Sequence, residues 1–460
     1  MRTLLGVHVL FRPRQIKLAE GPTLIADYDS MEIPLDGRRR RALLLTSIAI
    51  AAILIWQASV LWLARHRLES GNLALMMRGI ALTPGDGAGW DRIGQLQQSD
   101  FANLNIPKAI AAYRKAVTVD PLSPHYWLDL ATAYEVAGDN TRAQDAYAHA
   151  KADSPLSAEV AFSYGNFLMR NGNYPEAYKE LRQAVGSDPK LLPLAISRTW
   201  RALEDVDGLN QMLPATSDAY LQAVNFFAST NQMEAALTEW QHLIALRESV
   251  SLPSTFSFLD ELIREDRADD SRHVWREALA AAGLPHEEPP GGSLIWNGDF
   301  KHDFANGGLG WRWGPVQGVA IDFDSEPGPE GLRALRLDFS GGSNVNLGAP
   351  LEFVPVQPKT TYHFRAYMRT EDITTESGMR FSILDPNHPN AVGVLTDNFT
   401  GTHPWMPLDA DVTTGAGTHF LLVRLFRAPS RLFDNQLSGT VWIAGVSLVQ
   451  SPAEAERPPQ

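Results

Sequence analysis

The stretch WNGDFKHDFANGGLGWRWG, residues 296–314, sets Trp296, Trp311 and Trp313 among glycines and small polar residues. Indole faces stack on the apolar faces of pyranose rings, and Trp311 and Trp313, on either side of Arg312, share one face of an extended segment. These three residues are therefore the candidate carbohydrate contacts. Core filling competes for the same rings, first of all for Trp311; Trp405, alone before a late strand, is expected in the core. Other chemistry finds no foothold. No Gly-rich phosphate loop, HExxH helix or nucleophile elbow occurs, and the 12 histidines are scattered. The carboxylate pairs Asp260/Glu261 and Asp269/Asp270 fall in amphipathic helical sequence, where they form a wet face. Asp322, Asp324 and Glu326 offer oxygen ligands but sit in a turn. No catalytic residue, no metal and no cofactor is expected, and the chain is not expected to be an enzyme. A glycan hydrolase, which needs two carboxylates across a cleft, stays as the remotest alternative.

These residues need elements to hold them, and 460 residues with 44% hydrophobic content suffice for two or three cores. A formal net charge of −13 leaves no general basic surface, so nucleic acid is not expected as a partner. The absence of cysteine removes disulfides, thiolate zinc sites and a cysteine nucleophile together.

ALLLTSIAIAAILIWQASVLWLA, residues 42–64, carries no charge between Arg41 and Arg65. At about 1.5 Å per residue it reaches roughly 35 Å, enough for a hydrocarbon core of about 30 Å. A single transmembrane helix is expected; a cleaved signal peptide has a shorter apolar run and a shorter leader. Arg38, Arg39, Arg40 and Arg41 outweigh Arg65, Arg67 and Arg78, so residues 1–41 are expected in the cytoplasm and the bulk of the chain in the periplasm of a bacterial inner-membrane protein.

Pro121, Pro155 and Pro189 stand 34 residues apart, a period of helix-turn-helix repeats. In residues 124–155, Trp127, Leu130 and Tyr134 fall at i, i+3, i+7 of a first helix and Ala143, Tyr147 and Ala150 likewise on a second. Ala131, Ala143 and Ala150 let the helices approach, Gly138 makes the turn and Pro155 stops the second helix. A following copy carries Tyr164, Gly165, Leu168, Gly172, Ala177, Leu181 and Ala184, and a preceding one Trp90, Gly94, Ala109, Tyr113 and Ala116. Weaker second helices follow at Ala236/Trp240/Leu243 and Ser271/Trp275/Ala278, with 190–214 a degenerate unit. The pattern resembles the tetratricopeptide repeat over 70–284. The resemblance implies a superhelix whose concave face binds a protein partner, with Asp91, Gln95, His125, Glu135, Glu159 and Asn166 facing the groove. The family's basic clamp for a C-terminal carboxylate is absent, since Phe162 stands where it needs a cation.

Residues 285–292 read as a Pro/Gly linker. Beyond it, alternation replaces helical periods in 333–339, 361–368, 379–385, 419–426 and 440–449. In the second of these Tyr362, Phe364, Ala366 and Met368 share one face and His363, Arg365 and Tyr367 the other. The Asn297–Phe300 opening strand, the Gly310–Trp311 pair and the closing VWIAGVSL resemble galactose-binding-like, carbohydrate-binding jelly rolls over 293–452. Ala444 replaces the Asp that helps such modules hold calcium. The expected architecture is multidomain: cytoplasmic tail 1–41, transmembrane helix 42–64, all-α tetratricopeptide solenoid 70–284, linker, all-β jelly-roll sandwich, and a disordered tail 453–460. It suggests a scaffold holding a protein partner and touching a polysaccharide in envelope (exo)polysaccharide assembly or export; the alternative is a scaffold of a membrane or secretion complex whose sandwich binds protein.

Overall fold

The computed structural model describes residues 37–286, 290–324, 326–388 and 392–451. Residues 1–36 of the expected tail, 287–289 of the expected linker and the terminal 453–460 lie outside them. The chain divides into two compact units, Met1–Val119 and Asp120–Gln460.

In the first unit, α1 (Gly37–Leu68) contains one candidate span, Arg41–Leu68, long and apolar enough to cross a membrane. Its last turns are covered: Ala64 is 1% exposed, and Leu68 forms a core with Met76, Ile80, Ile93 and Ala112. The chain reverses at 69–72, and Asn72 caps α2 (Leu73–Ile80) by accepting the amides of Ala74 and Leu75. Asp86 caps α3 (Gly87–Ser99), which pairs with α4 (Ile106–Val119). Gly94 permits that pairing, because a Cβ there would lie 2.5 Å from the Tyr113 ring.

The second unit continues with helix pairs α5 (Pro124–Val136) and α6 (Asn140–Asp153), then α7 (Ala158–Arg170) and α8 (Tyr174–Ser187). Gly138 and Gly172 adopt φ 78° and 77° in the inter-helix turns, a conformation that β-carbons resist. Ala143, Ala150, Ala177 and Ala184 are fully buried at the contacts. The Trp127 indole donates to the Pro121 carbonyl at 2.8 Å, fixing a first helix to the turn before it. The degenerate stretch is α9 (Leu192–Leu203) and a short α10 (Val206–Met212). Then come α11 (Ser217–Ser229) with α12 (Met233–Ala245), and α13 (Phe256–Arg264) with α14 (Ala268–Ala281).

Among the described residues nine strands follow: β1 (Val319–Phe323), β2 (Leu335–Ser340), β3 (Leu351–Pro355), β4 (Thr361–Ile373), β5 (Arg380–Leu384), β6 (Gly393–Leu395), β7 (Gly401–Thr413), β8 (Phe420–Phe426) and β9 (Ser438–Gln450). They form two antiparallel sheets, ordered β1-β2-β9-β4-β7 and β3-β8-β5-β6. Along β4, Tyr362, Phe364, Ala366 and Met368 are buried between them at 1% exposure or less, as the alternation requires. Arg427, also fully buried, donates to the carbonyls of Ser377 and Val345 and to the Thr375 hydroxyl.

Three expectations are corrected. Residues 297–300 form a turn and not an opening strand, because Asn297 and Phe300 take φ 57° and 53°. The Asn297 side chain closes that turn on both backbone groups of His302. Trp311, at 1% exposure against Phe300 and Phe304, has no free face for a sugar. Trp405 lies half-buried in β7, on the side of Asp409 and Asp411 away from the core, beneath the loop at Gly328.

The sandwich is seated directly on the last helix pair. A Cβ on Gly307 would fall 2.1 Å from the Phe256 ring, and one on Gly308 2.6 Å from the Trp275 ring. Around this interlock Arg312 donates to Asp260 at 2.6 Å, Arg272 to the Pro355 carbonyl at 2.8 Å, and His419 pairs with Asp266 at 2.7 Å. The apolar end that a terminal repeat would otherwise expose is thereby covered.

Candidate binding surfaces

Successive first helices of a helical repeat line its concave side, and α9, α11 and α13 enclose an open depression of about 480 Å³. Pro193 and Ile196 come from α9, Gln222, Asn225, Phe226 and Ser229 from α11, and Ser257 and Glu261 from α13. Phe226 is half-buried and supplies an apolar floor. Beside it the buried Asn225 Oδ1 has no hydrogen-bond partner among the described residues. That oxygen lies beneath the surface, and the polar groups that line the depression beside Phe226 are those of Gln222, Ser229, Ser257 and Glu261.

Asn225 escaped sequence reasoning although its counterpart did not. It occupies in α11 the position Asn166 occupies in α7, each eight residues into its helix and followed by Phe. The two are 59 residues apart and not a multiple of 34, because the intervening α10 is only 7 residues long. The recurring Asn-Phe pair was the available signal.

The expected groove residues differ in what holds them. Asp91, 4% exposed, accepts from Gln95 at 2.9 Å within α3. His125 is 3.7 Å from Asp129 and 4.0 Å from the exposed Glu159, so His125 and Glu159 do meet across α5 and α7. Glu135 is occupied: it accepts two hydrogen bonds from Arg170, at 2.6 and 2.9 Å, and one from the Tyr147 hydroxyl. Asn166, 6% exposed, donates from its Nδ2 to the Phe162 carbonyl of its own helix at 2.6 Å.

On the sandwich, Trp296 packs edge-on against Trp275 and stacks on His302, so it belongs to the seat on α14. Its backbone N–H donates at 2.8 Å to Glu352, whose carboxyl burial holds far above the usual carboxylate range. Trp313 is half-buried and packs on the core, with its N–H on Asn306 Oδ1. Aromatic faces occur instead on the outer side of the β4 sheet. Arg336 and Arg369 sit over the Trp442 ring, 5.7 and 4.4 Å from its centroid, and Arg365 lies 5.4 Å from that of Tyr367. Trp442 donates to Asp324 and Tyr367 to Glu330, drawing the 324–332 loop over this face. His363, also here, is held between Asp411 at 2.8 Å and Asp409 at 3.2 Å, which raise its pKa against a smaller effect of burial.

Residues 98–155 and 128–191 match the tetratricopeptide repeat family model. A 158-residue stretch is 30% identical to the type IV pilus assembly protein PilF of Pseudomonas aeruginosa, covering 34% of this chain and 59% of that protein. The chain thus spans under two thirds of the curated relative's length. Among solved structures, YrrB, described as a tetratricopeptide protein with an unusual peptide-binding site, is 18% identical over 37% of this chain and 91% of its own, with a TM-score of 0.25. MamA is 16% identical over 42% and 95%, with a TM-score of 0.22. Family model and helix pairing together establish a tetratricopeptide-like solenoid, preceded by one candidate apolar helix and followed by an antiparallel β domain.

Proposed function

We propose that this protein is a membrane-anchored, non-enzymatic scaffold whose solenoid holds an extended peptide segment of a protein partner along α9, α11 and α13. The observation that supports this is the open depression between those helices, floored by the apolar Phe226 and lined by the polar Gln222, Asn225, Ser229 and Glu261. α1 anchors the chain in the inner membrane, with the arginines before the span in the cytoplasm and both folded domains outside it. The process is envelope polysaccharide assembly or export, or the work of a membrane or secretion complex, the alternative favoured by the Pseudomonas relative's name as a pilus assembly protein. A glycan contact falls best on Trp313, which is half-buried, since the loop at Gly328 covers Trp405 and the outer β4 face. The test is a displayed peptide library selected on the full chain in nanodiscs. Selected peptides should lose about tenfold or more affinity for Asn225→Ala, the equivalent of roughly 1.4 kcal/mol or more. Equal binding to Asn225→Ala and Phe226→Ala would place the peptide site elsewhere.

A further inference from the structure

The end of α1 does not leave the span alone. Val60 and Leu63 are half-buried and Ala64 is buried, so part of the 42–64 segment is covered by protein. The cover is α2, which runs back along α1: a Cβ on Gly79 would lie 2.9 Å from the Ala64 carbonyl and 3.0 Å from Arg67 Cβ. Leu82 follows in the turn after α2, its N–H bonding the Gly79 carbonyl, as the chain runs on past Gly79 in the direction of the span. Large apolar side chains stay open along both edges of the outward side of α2 and in the turn after it, with Arg78 between them: Leu75, Met77 and Leu82 are 38%, 45% and 39% exposed. Exposed Arg78 and half-exposed Arg67 flank these residues.

We propose that this outer face of α2, with the turn after it, is a lipid-binding surface. Leu82 and Met77 lie in the interfacial layer of the bilayer that α1 crosses, and Arg67 and Arg78 lie against anionic headgroups. The surface rests on the reading of α1 as the anchor. Because α2 shares its core with α3, the contact also fixes the attitude of the first helix pair to the membrane.

The chain has no cysteine, so single-cysteine variants of the full chain report one site each. Leu82→Cys, Met77→Cys, Leu54→Cys within the span and Phe101→Cys at the far end of α3 are labelled with an environment-sensitive fluorophore. Each is placed in phosphatidylcholine–phosphatidylglycerol vesicles containing headgroup- or chain-spin-labelled lipid. We expect chain quenching at 54, headgroup quenching with a blue shift at 77 and 82, and neither at 101. Replacing phosphatidylglycerol by phosphatidylcholine, or introducing Arg67→Gln with Arg78→Gln, should reduce the quenching at 77. Quenching at 54 while 77 and 82 behave like 101 would overturn the lipid surface and leave the anchor standing. No quenching at 54 would remove the anchor and the surface together.

Discussion

Gly308→Ala tests whether the sandwich is locked to the last repeat. Two penalties meet at this position. The backbone takes φ 57°, which costs a residue with a β-carbon about 1–2 kcal/mol. The new methyl group would also lie 2.6 and 2.9 Å from Trp275 ring carbons and 3.0 Å from Leu259 Cδ1. Trp275 is 4% exposed and Leu259 fully buried, so neither yields without disturbing α13 or α14, and overpacking of this kind costs about 1–3 kcal/mol. The total is about 2–5 kcal/mol. Gly331→Ala is the matched control, since its φ is 76° but its Cβ would meet nothing within 4 Å. Hydrogen exchange of the full chain in nanodiscs reads the difference locally. Amides of α13, α14 and residues 304–313 should exchange about 5- to 150-fold faster in Gly308→Ala than in Gly331→Ala, the equivalent of about 1–3 kcal/mol. If the two variants protect α14 equally, the interlock contributes nothing and the sandwich is merely adjacent.

Three further outcomes follow from single side chains. Burial raises the Glu352 carboxyl pKa in the folded chain, so its contribution to wild-type stability is fully present below about pH 4.3 and should be lost as pH rises through the folded value; Glu352→Gln keeps an acceptor for Trp296 N–H, and urea unfolding should show it gaining on wild type over that range by up to about 1.4 kcal/mol per pH unit. His363 has a raised pKa, so its pairing with Asp411 and Asp409 stabilises fully below about pH 6.5 and is lost as pH rises through the folded value; the residue is largely solvated, and His363→Gln should cost under about 1 kcal/mol at pH 5.5 and nothing at pH 9. Arg427→Met keeps the apolar stem but strands the carbonyls of Ser377 and Val345, and thermal unfolding should report a loss of roughly 3 kcal/mol or more.

The repeats were legible because their contacts recur at fixed spacing. The positions of Ala143, Tyr147 and Ala150 recur as a small, a large apolar and a small or apolar residue where a second helix packs, and that spacing reveals α12 and α14 through weaker sequence. The alternation along β4 was legible for the same reason, since each inward residue meets the same core. Partnerships across long separations left no such trace. Gly307 and Gly308 carry the composition of an ordinary turn, and only Phe256 and Trp275, more than thirty residues earlier, show why no side chain fits there. Trp296 and Trp311 look alike in sequence; one seats the sandwich on α14 and the other fills its core. Asn225 was hidden by a change of period, and Trp405 by a strand whose outer face is roofed by the 324–332 loop.

A helical repeat must end somewhere, and an end exposes the apolar face that the next repeat would have covered. This chain meets that requirement twice without a polar capping helix. In the first unit the end of α1 supplies Ala64 and Leu68 to the core that α2 and α3 need. In the second, the sandwich lays the 304–313 loop and β3 on α13 and α14. Each cap therefore completes a neighbouring core: the end of the candidate membrane span α1 packs as the missing helix, and the sandwich packs as an end-plate. Cutting the chain at residue 70, a natural choice from sequence, removes Leu68 and leaves Met76, Ile80 and Ile93 facing water. A fragment starting there should show faster exchange in α2 and α3 than the full chain, whereas α11 and α12, far from that core in sequence, should exchange alike in both. Equal protection of α3 in the two would mean that α1 adds nothing to the fold beyond the span.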